Sequence, residues 1–388
     1  MGHTHGTGQA RVASSKMARW VLAGILVPVL GLTIWGILAT WPEQLAGHGE
    51  FEFHSPDSVE LRAQVMGPVG TNSLGPAQLV DGAEIEVIYP PEHTVMDLSP
   101  GTPLRVLYVP EAQDSSSPYM FLDFERGKPM LLLFFLYVAA VVIVAKWRGM
   151  ASIAGLAFSL LIVITYTLPS LLIGGNGLLI AMLTSSAVMF AVMYVAHGIS
   201  ARTSIALLGT LGGLLITAAL AAGATRAAQI TGLTDDYVRS LLFFAPSVDL
   251  RAIVLCGTVL ACLGALNDVT ITQASAVWEL REVNSAMSRL ELFRRSMRIG
   301  RDHIASTVYT ITFAYIGGAL PLLLTVSMVN EAFAHTLTAG EIATEIVRTL
   351  VGSIGLVLAI PLTTAIAVVV VHGPGRDSRR YWTSERSS

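Results

Sequence analysis

The sequence predicts an α-helical polytopic membrane protein of about eight transmembrane helices carrying a small extracytoplasmic β-rich domain. Three observations predict it. Of 388 residues, 53% are hydrophobic and only 13% charged, whereas a soluble domain is about one quarter charged. Apolar runs near the ~20 residues that span a bilayer recur along the chain, and the mean hydropathy is +0.63. Residues 41–128 form the one sizeable polar region, and short stretches within it alternate with period two.

The chain opens with a cytoplasmic tail, residues 1–19, containing Arg11, Lys16 and Arg19. His3 and His5 lie on that tail and read as solvated groups rather than metal ligands. Residues 20–40 form the first apolar segment. It has a positive flank like a signal sequence, but exceeds the usual ~7–15 residue apolar region and lacks a small-residue cleavage site after it. It reads as an uncleaved signal-anchor helix.

Residues 41–128 alternate at Val59–Val65, Ala83–Ile88 and Leu104–Val109, with Gly-Pro, Asp-Gly, Pro-Pro and Pro-Gly breaks between. They predict a barrel of four to six strands. Its acidic residues are scattered, which favours a structural or docking role over catalysis. Residues 115–118 read as a linker.

Residues 129–371 are expected to form a seven-helix bundle, with apolar segments at 130–145, 150–173, 178–197, 203–223, 252–276, 304–329 and 346–371. Lys146-Trp147-Arg148-Gly149 and Gly174-Gly175-Asn176-Gly177 supply turns. Near 278–303, Val283, Met287, Leu290, Phe293 and Met297 recur every three or four residues among arginines. That pattern predicts a cytoplasmic amphipathic helix lying on anionic lipid, or a gate between the sixth and seventh spans. Residues 372–388 form a cytoplasmic tail. With the N-terminus inside, sixteen of the 24 Lys and Arg residues fall on the cytoplasmic side, so the positive-inside rule puts both termini there and the β-domain outside.

The central candidate site lies in the sixth span. Gly257, Ala261, Gly264, Asp268, Thr272 and Ser275 recur at three- and four-residue intervals and make one stripe of small and polar groups. Small residues let membrane helices approach closely, and a carboxylate is tolerated only toward protein or water. The stripe is therefore expected to face the bundle interior or a cavity. Asp268 is the one acidic residue within a span. It is the candidate ion- or substrate-binding group, with Asn267, Thr270, Thr272 and Ser275 as candidate oxygen ligands. The structural alternative pairs Asp268 with Arg301, His303 or a helix terminus. Thr307 and Thr310 in the seventh span are three apart and are expected to share a face. They are further candidates, although threonine hydroxyls commonly bond their own helix.

Gly317-Gly318 ahead of Pro321 marks the seventh span as the one expected to kink or break. With Gly257 and Gly264, these three are candidate packing or gating positions, and Gly209-xxx-Gly213 gives a close-packing face in the fifth span. No internal repeat is visible. Cys256 and Cys262 point to different faces of one helix and read as buried small hydrophobes; no zinc or haem spacing is present. No cofactor, metal or catalytic residue is expected. An intramembrane aspartyl protease needs two facing carboxylates, no Ser-His protease pattern lies within the spans, and there is no P-loop. The absence of a basic tract excludes nucleic acid as a partner.

From Asp123 onward the chain resembles the YibE/F-like family of multi-pass membrane proteins. The resemblance is carried by LPSLLIGGNG at 168–177, GALNDVTITQASAVWEL at 264–280 and GRDHIASTVYTITFAYIGGALP at 300–321. Thr272-Gln273-Ala274-Ser275 departs from a more serine-rich run. The resemblance implies a bacterial-type cytoplasmic-membrane protein and transfers no biochemical activity. Two functions remain open. One is a secondary transporter or permease for an unidentified ion or small solute, coupled through Asp268. The other is a non-transporting accessory, scaffold or sensor protein acting through its β-domain. The expected partners are the bilayer, that ion or solute, and a membrane or extracytoplasmic protein.

Overall fold

Backbone polar groups cannot find water among lipid tails, so apolar runs of this length favour the helix, which satisfies them internally. A computed structural model describes residues 16–42, 57–91, 98–111, 116–233, 236–328 and 337–371. His3, His5 and the C-terminal tail lie outside the described residues. The chain divides into two compact units, Gln44–Val144 and a second made of Met1–Glu43 with Ala145–Ser388.

The first unit holds a closed five-stranded barrel. Its strands are β1 (Val59–Val65), β2 (Leu74–Leu79), β3 (Glu84–Ile88), β4 (Pro103–Tyr108) and β5 (Tyr119–Phe124), in the order β1-β2-β3-β5-β4. All pairings are antiparallel except β3 with β5, where Val87 faces Tyr119. Alternation puts Ala63, Val65, Ala77, Val87, Leu104 and Val106 inside. On the outside, Glu60 meets Arg105 at 3.1 Å and Asp123 meets Arg126 at 2.7 Å. Tyr89 is fully buried and stacks on Phe121 at 5.2 Å, and burial pushes its hydroxyl up to about 12. The three alternating runs correspond to β1, β3 and β4. β2 was hidden because Gly75-Pro76 reads as a break, and β5 because it lacks alternation beside the expected linker.

The second unit is helical. Its elements are α1 (Lys16–Ala39), α3 (Leu168–Leu172), α4 (Gly177–His197), α5 (Ala201–Ala227), α6 (Asp236–Phe244), α7 (Leu250–Ala261), α8 (Leu263–Val283), α9 (Arg289–Gly318), α10 (Leu320–Ser327) and α11 (Gly340–Val370). The intervening α2 (Gly127–Ile162) starts in the first unit and turns non-helical at Lys146, at φ 52° and ψ −130°. Pro169 lacks an amide hydrogen, and the turn before it widens into a π-helix at Val163–Thr167.

Among the described residues, six helices are long and apolar enough to cross a membrane, or seven if the bent α9–α10 pair counts as one. Eight were expected. The difference lies at 130–145 and 150–173, which count as one 46-residue stretch, Gly127–Leu172, although two helices meet within it at a kink at Lys146. Lys-Trp-Arg are all compatible with helix, so the break is confined to the backbone angles of Lys146 rather than opened into a loop.

Close packing centres on α5, α8 and α11. Gly209 and Gly213 of α5 receive Thr363 and Ala359 of α11, and Gly355 of α11 receives Thr217; a Cβ at any of the three would collide. Hydroxyl pairs also cross between elements: Thr33 to Ser186 at 2.8 Å, Thr167 to Thr184 at 2.7 Å and Thr210 to Thr270 at 2.6 Å. α1 is part of this packing, with Leu22 and Leu26 in the core and Gly36 against Leu183.

The expected amphipathic helix at 278–303 is divided. α8 ends at Val283, and α9 begins at Arg289 and continues without interruption to Gly318. Arg281 is buried and closes the turn by donating to the Met287 and Ser285 carbonyls at 2.6 and 3.3 Å. The inward stripe is Leu292, Ser296 and Gly300, while Val283 and Leu290 are exposed. Spacing alone could not show that a turn intervenes and resets the helical phase.

Candidate functional site

A helix with one small, polar side and one larger, apolar side can bury either, depending on what its neighbours fill. α7 and α8 bury Cys256, Val259, Cys262, Leu266, Val269, Gln273 and Val277. That face is about opposite the Asp268 stripe. Ala261, Gly264 and Asp268 are exposed, Gly257, Thr272 and Ser275 are half-buried, and a Cβ at Gly257 or Gly264 would meet nothing within 4 Å. The stripe therefore faces away from the bundle interior, contrary to expectation. Larger side chains fill the space against α5 and α11, and the small side is left open among the described residues at Gly257 and Gly264.

Asp268 stands with 68% of its side chain exposed, and its Oδ2 lies 3.8 Å from Nε2 of His303 on α9. His303 is one of the partners the structural alternative named, but its Nε2 makes no hydrogen bond among the described residues. The other candidates do not converge on Asp268. Thr270 is fully buried toward α5, sharing a hydrogen bond with Thr210 and donating to the Asn267 carbonyl at 3.2 Å. Asn267 Oδ1 is buried without a partner among the described residues. Ser275 donates to the Ile271 carbonyl at 2.8 Å. Thr307 is buried and donates to the His303 carbonyl, whereas Thr310 is exposed and donates to the Ser306 carbonyl, so each hydroxyl bonds its own helix. Three residues along a helix turn through about 300°, which leaves room for one to point in and the other out.

Sequence reasoning missed Gln273. It is buried and bridges three helices, its amide donating to the Ser296 carbonyl of α9 at 3.0 Å and to Thr364 Oγ1 of α11 at 2.8 Å. Gly300 leaves the space the amide occupies. Gln273 stood in the polar run Thr272–Ser275, but nothing there told the inward residue from the outward ones.

A second polar cluster lies where the seventh span breaks. α9 and α10 meet at 65° across Ala319, just after Gly317-Gly318 and just before Pro321. Neither glycine has a neighbour that a Cβ would strike, so their contribution here is backbone freedom rather than close packing. Beside this elbow is a cavity of about 460 Å³ lined by Tyr315, Gly318, Glu341, Glu345 and Arg348. An adjoining apolar pocket of about 250 Å³ shares Tyr315 and Glu345 and is walled by Ile316, Leu323, Ile342 and Leu350. Arg348 Nη1 donates to Glu345 Oε1 at 2.6 Å. Arg348 Nε and the Tyr315 hydroxyl are buried with no partner among the described residues. The signal for this cluster was present in part: the Gly-Gly…Pro break, and an acid and a base three residues apart at the start of an apolar run.

Among the described residues, no three His, Cys, Asp or Glu side chains come together in a way that could hold a metal. No curated protein and no solved structure matches the chain. The profile of one protein family, described as YibE/F-like protein, does match, over residues 133–373.

Proposed function

The chain belongs to the YibE/F-like family, and from that premise we propose that it is a secondary transporter or permease for a small solute. The observation that carries this reading is the broken span. Discontinuous helices beside ionisable groups are how many membrane transporters build substrate sites, because freed backbone is tolerated only where it lines a cavity. Here the break at Ala319 opens beside Tyr315, Glu345 and Arg348. The reading assigns no catalytic residue, and Asp268, beside His303, is its proposed carrier of a coupling ion or proton.

The same reading proposes eight crossings of a bacterial-type cytoplasmic membrane. The stretch Gly127–Leu172 holds 46 residues, more than twice the ~20 that span a ~30 Å hydrocarbon core. A hinge at Lys146 would make it two crossings. The excess of Lys and Arg on one side of that topology supports cytoplasmic termini and an extracytoplasmic barrel.

The test is uptake into proteoliposomes, guided by a thermal-shift screen of the purified protein against ions and small solutes. A solute that raises the melting temperature is expected to accumulate saturably. Gly318→Leu, which fills the cavity, is expected to abolish accumulation in protein that melts normally. Neither shift nor uptake with any solute would overturn the reading.

One observation favours a second reading, an accessory or sensor protein. A closed five-stranded barrel is a form on which other chains present binding loops. Capture of an extracytoplasmic protein by residues 57–124 in the absence of any transport would favour it.

A further inference from the structure

Two residues that line the cavity at the α9–α10 elbow carry buried polar atoms with no partner among the described residues. Arg348 commits Nη1 to Glu345, and its Nε–H is buried without an acceptor among the described residues. The Tyr315 hydroxyl is likewise unmet. Tyr315, Glu345 and Arg348 line the same cavity. Glu341 lines the same cavity one helical turn before Glu345, and no ion pair engages it among the described residues.

A buried donor left without an acceptor is costly, so two of them together call for one. The acceptor must also suit the charge around it. Two carboxylates and one guanidinium line the cavity, and their sum, −1, opposes a simple anion. A simple cation would suit Glu341 but leave both donors unmet. A molecule with a carboxylate at one point and an ammonium at another satisfies every group. The adjoining apolar pocket of about 250 Å³ then receives whatever hydrocarbon the molecule carries. Ligand sites commonly combine an apolar wall with a few converging polar groups, within ~300–1,000 Å³.

We infer that the elbow cavity binds a small zwitterionic solute of the amino-acid class with an apolar side chain. Its carboxylate accepts from Arg348 Nε–H and the Tyr315 hydroxyl, its ammonium faces Glu341, and its side chain enters the pocket between Ile316 and Leu350. The inference rests on the transport reading for its purpose but not for its evidence, because binding can be measured where no transport occurs.

The experiment measures binding of L-phenylalanine to the full-length protein in nanodiscs by calorimetry, with three analogues that each lack one feature. Phenethylamine lacks the carboxylate, 3-phenylpropionate lacks the ammonium and glycine lacks the side chain. Phenylalanine is expected to bind at least about tenfold more tightly than any of them, the loss typical of one charge-assisted contact. Tyr315→Phe and Glu341→Gln are each expected to weaken it about tenfold while melting like the parent. Equal binding of either charged analogue, or unchanged affinity in both variants, overturns the inference. No binding of phenylalanine by a protein that transports some other solute also overturns it and leaves the transport reading standing. Selective phenylalanine binding without uptake upholds the inference and removes the transport reading instead.

Discussion

Gln273 on α8 donates to Thr364 on α11 at 2.8 Å, and the same amide nitrogen reaches the Ser296 carbonyl of α9 at 3.0 Å. One side chain thus ties the helix that carries Asp268 to the helix that bends at Ala319 and to the helix that carries Arg348. An interhelical hydrogen bond in a membrane protein is worth about 0.6–1.7 kcal/mol. Gln273→Ala removes two such bonds and opens space beside Gly300. It is expected to destabilise the protein by about 1–3 kcal/mol, read as a lower melting temperature in detergent. A melting temperature equal to the parent's would show that the bridge is not structural.

The glycines divide into two kinds, and the division predicts opposite outcomes for one substitution. At Gly177, an added Cβ meets the backbone of Ala252, which cannot rotate away. At Gly264 it meets nothing within 4 Å. Gly177→Ala is expected to cost about 1–3 kcal/mol through overpacking. Gly264→Ala is expected to stabilise by about 0.5–1 kcal/mol, since glycine within a helix is entropically costly. Unfolding of the two variants side by side tests the pair. Destabilisation by Gly264→Ala would mean that something beyond the described residues packs on the small-residue stripe.

The contrast also shows what a sequence can and cannot convey. Period-two alternation at Val59–Val65 and Leu104–Val109 exposed β1 and β4, because a barrel wall has one apolar face. Gly75-Pro76 concealed β2, since the same dipeptide also marks turns. Around Asp268, spacing identified which residues share a face, but the direction of that face depends on the volumes of α5 and α11. The elbow cluster joins Tyr315 to Glu345 and Arg348 on a different helix, a neighbourhood fixed by the bend at Ala319. Gly317-Gly318 and Pro321 announced the bend; nothing in their spacing announced what it would face.

The barrel has its own pH dependence. Asp123 accepts from the Phe124 amide at 2.8 Å and from Arg126 Nη1 at 2.7 Å. The backbone hydrogen bond first, and Arg126 second, hold its carboxyl below the ordinary value of 3.8. A carboxyl that is harder to protonate when folded adds stability above its unfolded pKa. That contribution disappears as pH falls through the lowered folded value. Acid titration of the full-length protein, followed by near-ultraviolet circular dichroism of the barrel tyrosines, is expected to show a loss of stability below about pH 4. Asp123→Asn is expected to lower stability at neutral pH and flatten the acid limb. Parallel acid limbs in the two proteins would assign the loss to other groups.

Asp268 offers the sharpest separation between a structural and a coupling role. His303 Nε2 lies 3.8 Å away, and 68% of the aspartate side chain is exposed. A partly exposed pair contributes about 0–1 kcal/mol, whereas breaking a buried one costs about 3–5 kcal/mol. Asp268→Asn keeps the size and hydrogen bonding of the side chain and removes its charge and exchangeable proton. The variant is therefore expected to express at parental yield and to melt within a few degrees of the parent. If Asp268 carries the coupling charge, ion- or proton-driven accumulation is lost in that well-folded variant, while exchange of solute at equal concentrations persists. Yield, melting temperature, driven uptake and exchange measured on the same preparations decide the matter. Parental driven uptake in Asp268→Asn would remove the aspartate from the coupling mechanism, and a large drop in melting temperature would return it to a structural role.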